Sequence, residues 1–368
     1  MDNDTEDILH SENNSNEPII SETSTNGDVS VDAPSAPETA LKSEQENAPT
    51  SAYTRDPRLD HPFEGSKEPK TEPNRDFFTQ NDINRFRHKA ELPLYAVMVV
   101  LNVLIVLSII FCCILSACGV STILAGESGD LLVGSFLGIT EDIDDYGPVL
   151  LGTIVGVLII LPFTIYAMYA EYRARAVKIT KNNFPELYYT IQEYSARLGL
   201  KKVPNAYVIQ ENGVLNAFSA FIIRKQYITI NVDLFEIAYR EYHDMDVINF
   251  VIAHEMAHIR LRHATFGIYM SILFANYVPI ISTTYMRARE YSCDRIAQKL
   301  TKTSGIEAIM TFAAGKHLYK AVDIEDYLEC ANEVRGFFVF ITNLISTHPI
   351  LTKRIQALAK GEGSGKLL

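Results

Sequence analysis

Two histidines and a glutamate lie within five residues of each other in the mostly apolar run FVIAHEMAHIRLRH, at positions 250–263. In an α-helix, residues four apart share a face, so His254 and His258 would lie on consecutive turns of one side. Glu255 would lie about 60° from His258, beside the same site. Two imidazoles so spaced can chelate zinc, and the adjacent carboxylate can take a proton from a water molecule. Because burying these groups without a purpose is costly, the apolar surroundings favour a metal site over a chance match.

A hydrolytic zinc site needs a third protein ligand and one open position. The segment RAREYSCDRIAQKL, at 287–300, offers Glu290 and Asp294 four residues apart on a second predicted helix. We expect Glu290 to bind the metal and Asp294 to accept the outward N–H of a ligand histidine. A solvated helix with paired charges is the alternative. Cys293 points away from this pair of carboxylates and is predicted to pack.

His263 is the nearest other candidate ligand, but the pattern argues against it. It follows His254 by nine residues and would face the opposite side of a continuous helix. It is also one residue short of the metzincin spacing. We therefore expect His263 to lie with Arg260 and Arg262 on a polar face.

The elements that must position these residues are mostly helical. Asp244 or Asp246 can cap the helix that carries the two histidines. A helix is predicted to begin at Pro185 and to end at Gly199. Extended patterns at 206–210 and 217–232 indicate a hairpin or small sheet within 205–233. The fold class is therefore α+β, mostly helical, with a small β-sheet.

Two uncharged apolar runs indicate an integral membrane protein. Residues 92–118 and 148–170 each exceed the roughly 20 apolar residues that cross a bilayer as a helix. Basic residues flank the outer ends of this pair, whereas the connecting loop, 119–146, contains acidic residues and neither Lys nor Arg. By the positive-inside rule, the loop is extracytoplasmic, and both the N-terminal tail and the domain that follows residue 170 are cytoplasmic.

The segment at 266–285, between the two halves of the metal site, is also apolar. A single crossing would place Glu290 on the opposite side of the membrane from His254, and two crossings need about 40 residues, more than are present. We favour a helix packed at the membrane face of the domain. A core helix and a re-entrant hairpin broken near Pro279 are the alternatives.

The termini carry little pattern. Residues 1–80 hold 18 acidic and 6 basic residues, which accounts for the net charge of −12 of the whole chain. Residues 1–84 are predicted to be a disordered acidic tail and 361–368 a flexible C terminus. Five cysteines, three of them in or beside the first apolar run, form no disulfide framework. The chain has no phosphate-binding glycine loop and no basic aromatic stripe, so we expect no nucleic-acid partner.

Several motifs occur in one order: NAF at 216–218, HEMAH at 254–258, REYSCD at 289–294 and STHPILTKRI at 346–355. This order resembles the HtpX-like and CAAX-prenyl-protease-like membrane zinc metallopeptidases, over about residues 170–360. The resemblance implies a zincin-like domain of the gluzincin type at 171–360. It implies one zinc ion per subunit, bound by His254, His258 and Glu290, with Glu255 as the catalytic base.

The resemblance extends to two further parts of the domain. His348 would match a histidine that steadies the oxyanion, although it could instead cap a helix before Pro349. Asn216, Ala217 and Phe218 would lie on an edge strand that pairs with the backbone of a bound peptide. A role for Arg354 stays open.

The expected function is hydrolysis of peptide bonds in membrane-associated or misfolded proteins by a multi-pass protein of the plasma membrane. A non-catalytic membrane scaffold or chaperone-like protein with a structural zinc site is the alternative. A narrower alternative is an enzyme that trims prenylated C termini. The partners are then a protein or peptide substrate and the lipid bilayer.

Overall fold

A computed structural model describes residues 77–117, 143–210, 217–222, 225–263 and 265–368. The predictions for most of the acidic tail, for most of the 119–146 loop and for Asn216 concern residues outside these ranges.

The described residues form a mostly helical domain with a small mixed sheet, and this part of the fold prediction is confirmed. The helices are α1 (Gln80–Phe86), α2 (Glu91–Ala117), α3 (Ile143–Arg175), α4 (Pro185–Arg197), α5 (Val232–Glu236), α6 (Met245–Arg260), α7 (Phe266–Ser271), α8 (Ile281–Thr301), α9 (Ile306–Leu318), α10 (Ile324–Glu333), α11 (Phe337–Ile345) and α12 (Leu351–Lys360). The strands are β1 (Val177–Lys178), β2 (Asn205–Ile209), β3 (Ala217–Ile222) and β4 (Lys225–Asn231).

The sheet has the order β1-β2-β4-β3. Strands β2 and β4 run parallel, whereas β3 and β4 form an antiparallel hairpin in which Ala217 faces Ile230. On one face, Ile228 and Ile230 are fully buried in the main core. On the other, Tyr227 packs with Tyr207 against the end of α3. Strand β4 is therefore covered on both faces, and β3 lies at the edge.

Helix α6 forms the centre of the domain. Its N-cap is Asp244, whose carboxylate accepts the backbone N–H groups of Asp246 and Val247. Capping of this kind satisfies amide groups that have no partner within the helix. Ile248, Ile252 and other apolar residues of α6 are fully buried in the main core, which extends to α8 and the sheet. The helix that carries HEMAH is thus fixed along most of its length.

Helices α2 and α3 contain segments that are long and apolar enough to cross a membrane, Glu91–Ile114 and Leu151–Arg175. Many of their large apolar side chains are exposed, including Val100, Leu107 and Phe163. The two helices pack against each other. In the described part of the chain, no other helix has this length and composition.

The segment 266–285 is not one continuous helix, and the favoured prediction for it is wrong. Helix α7 ends at Ser271, a 3-10 turn covers Ala275–Tyr277, and α8 begins at Ile281 after Ile280, whose φ is 68°. Pro279 cannot donate a backbone hydrogen bond, which accounts for a break at this point. The broken segment packs against α2, where Met98, Ile272, Ala275 and Tyr285 form a second apolar cluster.

The two ends of the described chain are more ordered than the sequence predicts. The predicted tail is wrong over residues 80–84, because Thr79 and Asp82 form a capping box that starts α1, and Ile83 is buried in the main core. Residues 361–368 are also tied down: the carbonyl of Leu367 accepts hydrogen bonds from Arg287 and Asn343. These hydrogen bonds go to a backbone carbonyl, which every residue type has. The side chains of the segment therefore give no sequence signal of the contact.

The side-chain amide of Asn102 holds the backbone of the broken segment by hydrogen bonds. Its Oδ1 accepts the backbone N–H of Phe274 at 2.8 Å and that of Ala275 at 3.4 Å. Asn102→Leu would remove this acceptor from two amide groups, and we expect a loss of about 1–3 kcal/mol in the free energy of unfolding. Thermal unfolding of the full-length protein in detergent measures this loss. Val103→Leu, at the exposed neighbouring position, is the control, and equal midpoints for the two variants would contradict the prediction.

Candidate metal centre

Donor atoms of three residues from two helices meet at the contact between α6 and α8. Nε2 of His254 lies 3.2 Å from Nε2 of His258. Glu290 faces both rings, with Oε2 3.4 Å from His254 Nε2 and Oε1 3.4 Å from His258 Nε2. The structure thus brings together the three residues that the sequence indicates as metal ligands.

The spacing of these atoms fits a zinc ion. Zinc is bound by nitrogen and oxygen at about 2.0–2.2 Å in a tetrahedral arrangement, which separates neighbouring donors by about 3.3–3.5 Å. The three observed separations are 3.2, 3.4 and 3.4 Å. Three protein donors leave one tetrahedral position for water or substrate, as in catalytic rather than structural zinc sites.

The outer nitrogen of His254 is held by a buried ion pair. Its Nδ1 lies 2.9 Å from Oδ1 of Asp294, one helical turn beyond Glu290. Arg354 of α12 in turn donates to both oxygens of Asp294, at 2.9 and 2.6 Å. All three side chains are at least nine-tenths buried. A carboxylate in this position fixes the tautomer and the orientation of a ligand imidazole.

The pKa shifts show that this cluster favours positive charge. Burial alone would lower the pKa of His254, but hydrogen bonds to Asp294 and Glu290 outweigh it and raise the pKa to about 10. Burial would raise the pKa of Glu290, yet its bonds to His254 and His258 hold that pKa well below the usual range. Burial likewise opposes ionisation of Asp294, whose pKa is nevertheless lowered, chiefly by Arg354. The carboxylates therefore stay ionised and stabilise a cation between them.

His263 does not lie on a polar face, and that prediction is wrong. The residue is buried, with its Nδ1 3.0 Å from Nδ1 of His258. The reason is that α6 ends at Arg260: Arg262 adopts a left-handed conformation, with φ of 62°, and returns the chain toward His258. Positions on a helical wheel have no meaning beyond the end of the helix.

His258, His263 and Cys293 form a second group of potential ligands. It fits a metal less well, because zinc binds the thiolate form of cysteine. Burial raises the pKa of the Cys293 thiol well above its usual value, and the side chain belongs to the main core. Cys293 thus packs, with its sulfur 3.6 Å from Nδ1 of His263.

A cavity of about 230 Å³ opens beside the donor cluster. Glu255, His348 and Ala217 line it together with His254 and Glu290. Its remaining wall is mostly apolar: Phe250, Val251, Ile309, Phe312 and Leu351, with Arg354. The cavity therefore places a free carboxylate, an imidazole and the start of the edge strand within reach of one bound molecule.

His348 lies on the loop before α12, where its Nε2 is 3.9 Å from Oε2 of Glu290. Its side chain is two-thirds exposed. The alternative role as a helix cap is not observed, because the N-cap of α12 is Ile350 and no side chain caps it. Phe218 packs against Tyr172 of α3. Of the two predicted edge-strand residues that the structure describes, Ala217 and Phe218, only Ala217 lines the cavity.

Comparison with known proteins agrees with this geometry. The model of peptidase family M48 matches two segments, residues 181–278 and 266–362. The first contains HEMAH and the second contains Glu290, Asp294 and Arg354. The chain belongs to peptidase family M48. No curated protein and no solved structure matches the chain.

Membership makes the chain an M48 metallopeptidase, a hydrolase of a family that is generally zinc-dependent. The resemblance found in the sequence is thereby confirmed. The sequence leaves the role of Arg354 open and does not indicate Glu91 as part of the site. The only signal for Arg354 is its place in STHPILTKRI, six residues after His348. Glu91 follows three basic residues and opens an apolar run, which gives no sign of a contact with the site.

Removal of the carboxylate ligand tests the metal site of this M48 peptidase. Glu290→Ala leaves only two imidazole donors, so we expect purified protein to lose most of its zinc, from about one ion per chain. Elemental analysis after dialysis measures the content. The control is Glu329→Ala at an exposed position of α10, which should keep the metal. Equal zinc in Glu290→Ala and in the wild type would exclude Glu290 as a ligand.

Proposed function

We propose that this M48 peptidase is a membrane-anchored zinc endopeptidase that cleaves membrane-associated or misfolded proteins at the cytoplasmic face of the plasma membrane. The observation that carries the proposal is the set of donor atoms of His254, His258 and Glu290, which lie 3.2–3.4 Å apart beside an open cavity. These three side chains would hold the ion. When bound, zinc supplies Lewis-acid activation of a water molecule and of the peptide carbonyl.

Glu255 is the general base in this proposal. It lines the cavity next to His254 and Glu290 and is 7% exposed. Its carboxylate takes a proton from the attacking water and then gives that proton to the leaving amine. His348 lines the same cavity, where its Nε2 could donate a hydrogen bond to the oxyanion that develops on the scissile carbonyl.

Strand β3 would bind the substrate. It is an edge strand, and among the described residues only β4 pairs with it. A peptide in extended conformation could add to its free edge by backbone hydrogen bonds, which do not depend on sequence. The apolar wall formed by Val251, Phe312 and Leu351 favours an apolar side chain next to the scissile bond. Both features suit unfolded segments of proteins.

Anchoring in the bilayer is supported by the position of α2 and α3. The N terminus of α2 and the C terminus of α3 both adjoin the peptidase domain, through Glu91 and through β1 respectively. Arg85, Arg87, Arg173 and Arg175 flank these same two ends. This arrangement agrees with cytoplasmic ends by the positive-inside rule.

The broken segment that follows α6 would lie at membrane depth. Asn102, which binds its backbone, is eleven residues beyond Glu91, or about 16 Å along α2. In hydrocarbon every backbone amide needs a partner within the protein, and Asn102 supplies one for Phe274 and Ala275. Tyr277 and Ile280 are exposed at this point and would face lipid. The active site would then lie close to the surface of the bilayer.

The assignment of Glu255 is tested by Glu255→Gln. Removing a general base lowers the rate by about 10²- to 10⁴-fold, while the three metal ligands remain. We expect the variant in detergent to bind zinc as the wild type does but to cleave an unfolded membrane protein at least about 100-fold more slowly. Gel-based cleavage with matched elemental analysis measures both, and Glu329→Gln should keep full activity.

A chelator provides the second arm of the same experiment. Cleavage should stop after treatment with a strong zinc chelator and return when zinc is added. Cleavage that survives both the chelator and Glu255→Gln would reject the proposed mechanism. Stoichiometric zinc without cleavage of any unfolded protein would instead support a scaffold with a structural zinc site.

A further inference from the structure

The second ring nitrogen of His258 faces a buried chain of polar groups. Nδ1 of His258 lies 3.0 Å from Nδ1 of His263. Nε2 of His263 lies 2.9 Å from Oε1 of Glu91, the first residue of α2. His263 and Glu91 are 6% and 3% exposed. The contacts run without interruption from a metal ligand to the start of a candidate membrane helix.

The geometry of these contacts determines which ring nitrogen of His258 and of His263 carries the proton. His258 faces Glu290 and His254 with Nε2, so its own proton in the neutral form belongs on Nδ1. That N–H can donate only to Nδ1 of His263, which must then accept. The proton of His263 therefore lies on Nε2 and is donated to Glu91. This arrangement gives each N–H of the two rings an acceptor.

The backbone is bent to make this contact. After α6 ends, the N–H of His263 donates to the carbonyl of His258 at 2.9 Å, and that of Arg262 donates to the carbonyl of Ile259. These two bonds form a Schellman motif, whose left-handed position is normally occupied by glycine. Here Arg262 occupies it, which costs roughly 1 kcal/mol of backbone strain. The strain lies next to the residue that reaches His258.

Glu91 is held in turn by groups on both sides. Arg87 approaches its Oε1 at 3.1 Å. The hydroxyl of Ser292 donates to its Oε2, and the same hydroxyl accepts the backbone N–H of His88 at 2.9 Å. Ser292 lies on α8 between Glu290 and Asp294. The helix that carries the third ligand thus also orients Glu91.

We propose that His263 and Glu91 are positioning residues that orient His258 for metal binding and make the metal site depend on the docking of α2 against the peptidase domain. The inference rests on the proposed zinc site. Each ligand histidine then has an outer carboxylate: Asp294 contacts His254 directly, and Glu91 reaches His258 through His263. The N-terminal end of α2 is thereby part of the support of the metal centre and not only an anchor.

Zinc affinity of the full-length protein in detergent tests this proposal. Outer partners of a ligand histidine are worth about 10- to 100-fold in metal affinity. We expect His263→Ala and Glu91→Gln each to raise the dissociation constant for Zn²⁺ at least about 10-fold, measured by competition with a fluorescent chelator. Because the two residues act through one path, their effects should not add. The double variant should lose no more Zn²⁺ affinity than whichever single variant loses more. Glu91→Asp should recover part of the affinity.

Two controls separate positioning from stability. Glu171→Gln removes an exposed carboxylate near the C-terminal end of α3, outside the chain of contacts to His258, and should bind Zn²⁺ as the wild type does. Leu187→Ala removes a fully buried core side chain of α4 and lowers stability without touching the site. If Leu187→Ala weakens Zn²⁺ binding as much as Glu91→Gln does, the proposal is overturned.

Cobalt substitution provides a readout of ligand geometry. We expect the visible absorption of the Co²⁺ form to shift in His263→Ala and Glu91→Gln relative to Glu171→Gln. Unchanged Zn²⁺ affinity and Co²⁺ spectra in both variants would overturn the proposal, as would additive losses in the double variant. A wild-type protein that binds no Zn²⁺ would refute the metal site itself, a failure that this comparison distinguishes from the failure of positioning alone.

Discussion

Helices α6 and α8 can pack side by side only if the charges that they bury between them are neutralised. Arg354 and Asp294 form a two-bond ion pair that cancels within the cluster. Glu290 remains between two imidazoles, so the donor cluster is negatively charged when both histidines are neutral, as metal binding requires. Burying that charge without a partner is costly, and it is balanced either by a proton on His254, whose pKa is raised to about 10, or by a divalent cation between the donors. The charge of the site therefore agrees with the spacing of its donors in favouring a bound cation.

The parts of the site that the sequence predicts are those set by local helical geometry. His254 and His258 share a face because they are four residues apart, and Glu290 and Asp294 do so for the same reason. Both residues of each pair lie within one continuous helix, so the helical-wheel argument applies to them. The apolar residues around His254 and His258 also predict burial correctly, because α6 belongs to the main core. The sequence identifies these four residues before any contact between the helices is known.

The parts that the sequence does not predict depend on breaks in structure or on distant contacts. His263 is misplaced because α6 ends three residues before it, at a turn whose left-handed residue is Arg262 and not glycine. The residues at this turn include no glycine, asparagine or proline that would indicate the end of the helix. Glu91 is 172 residues from His263, and Arg354 is 60 residues from Asp294. Contacts at such separations arise from tertiary packing and leave no periodic pattern.

Helix α8 connects the candidate membrane helix α2 to the candidate metal site. Near its beginning, Tyr285 packs with Met98 of α2 and with the broken segment that Asn102 holds. Farther along, Glu290 faces His254 and His258, Ser292 binds Glu91, and Asp294 binds His254. Consecutive turns of one helix thus contact both α2 and the donor cluster. A displacement of α2 relative to α8 would disturb Glu91 and, through His263, the ring of His258. The candidate metal site therefore adjoins the contact between α2 and the peptidase domain, so the proposed site would be assembled only when that contact is formed.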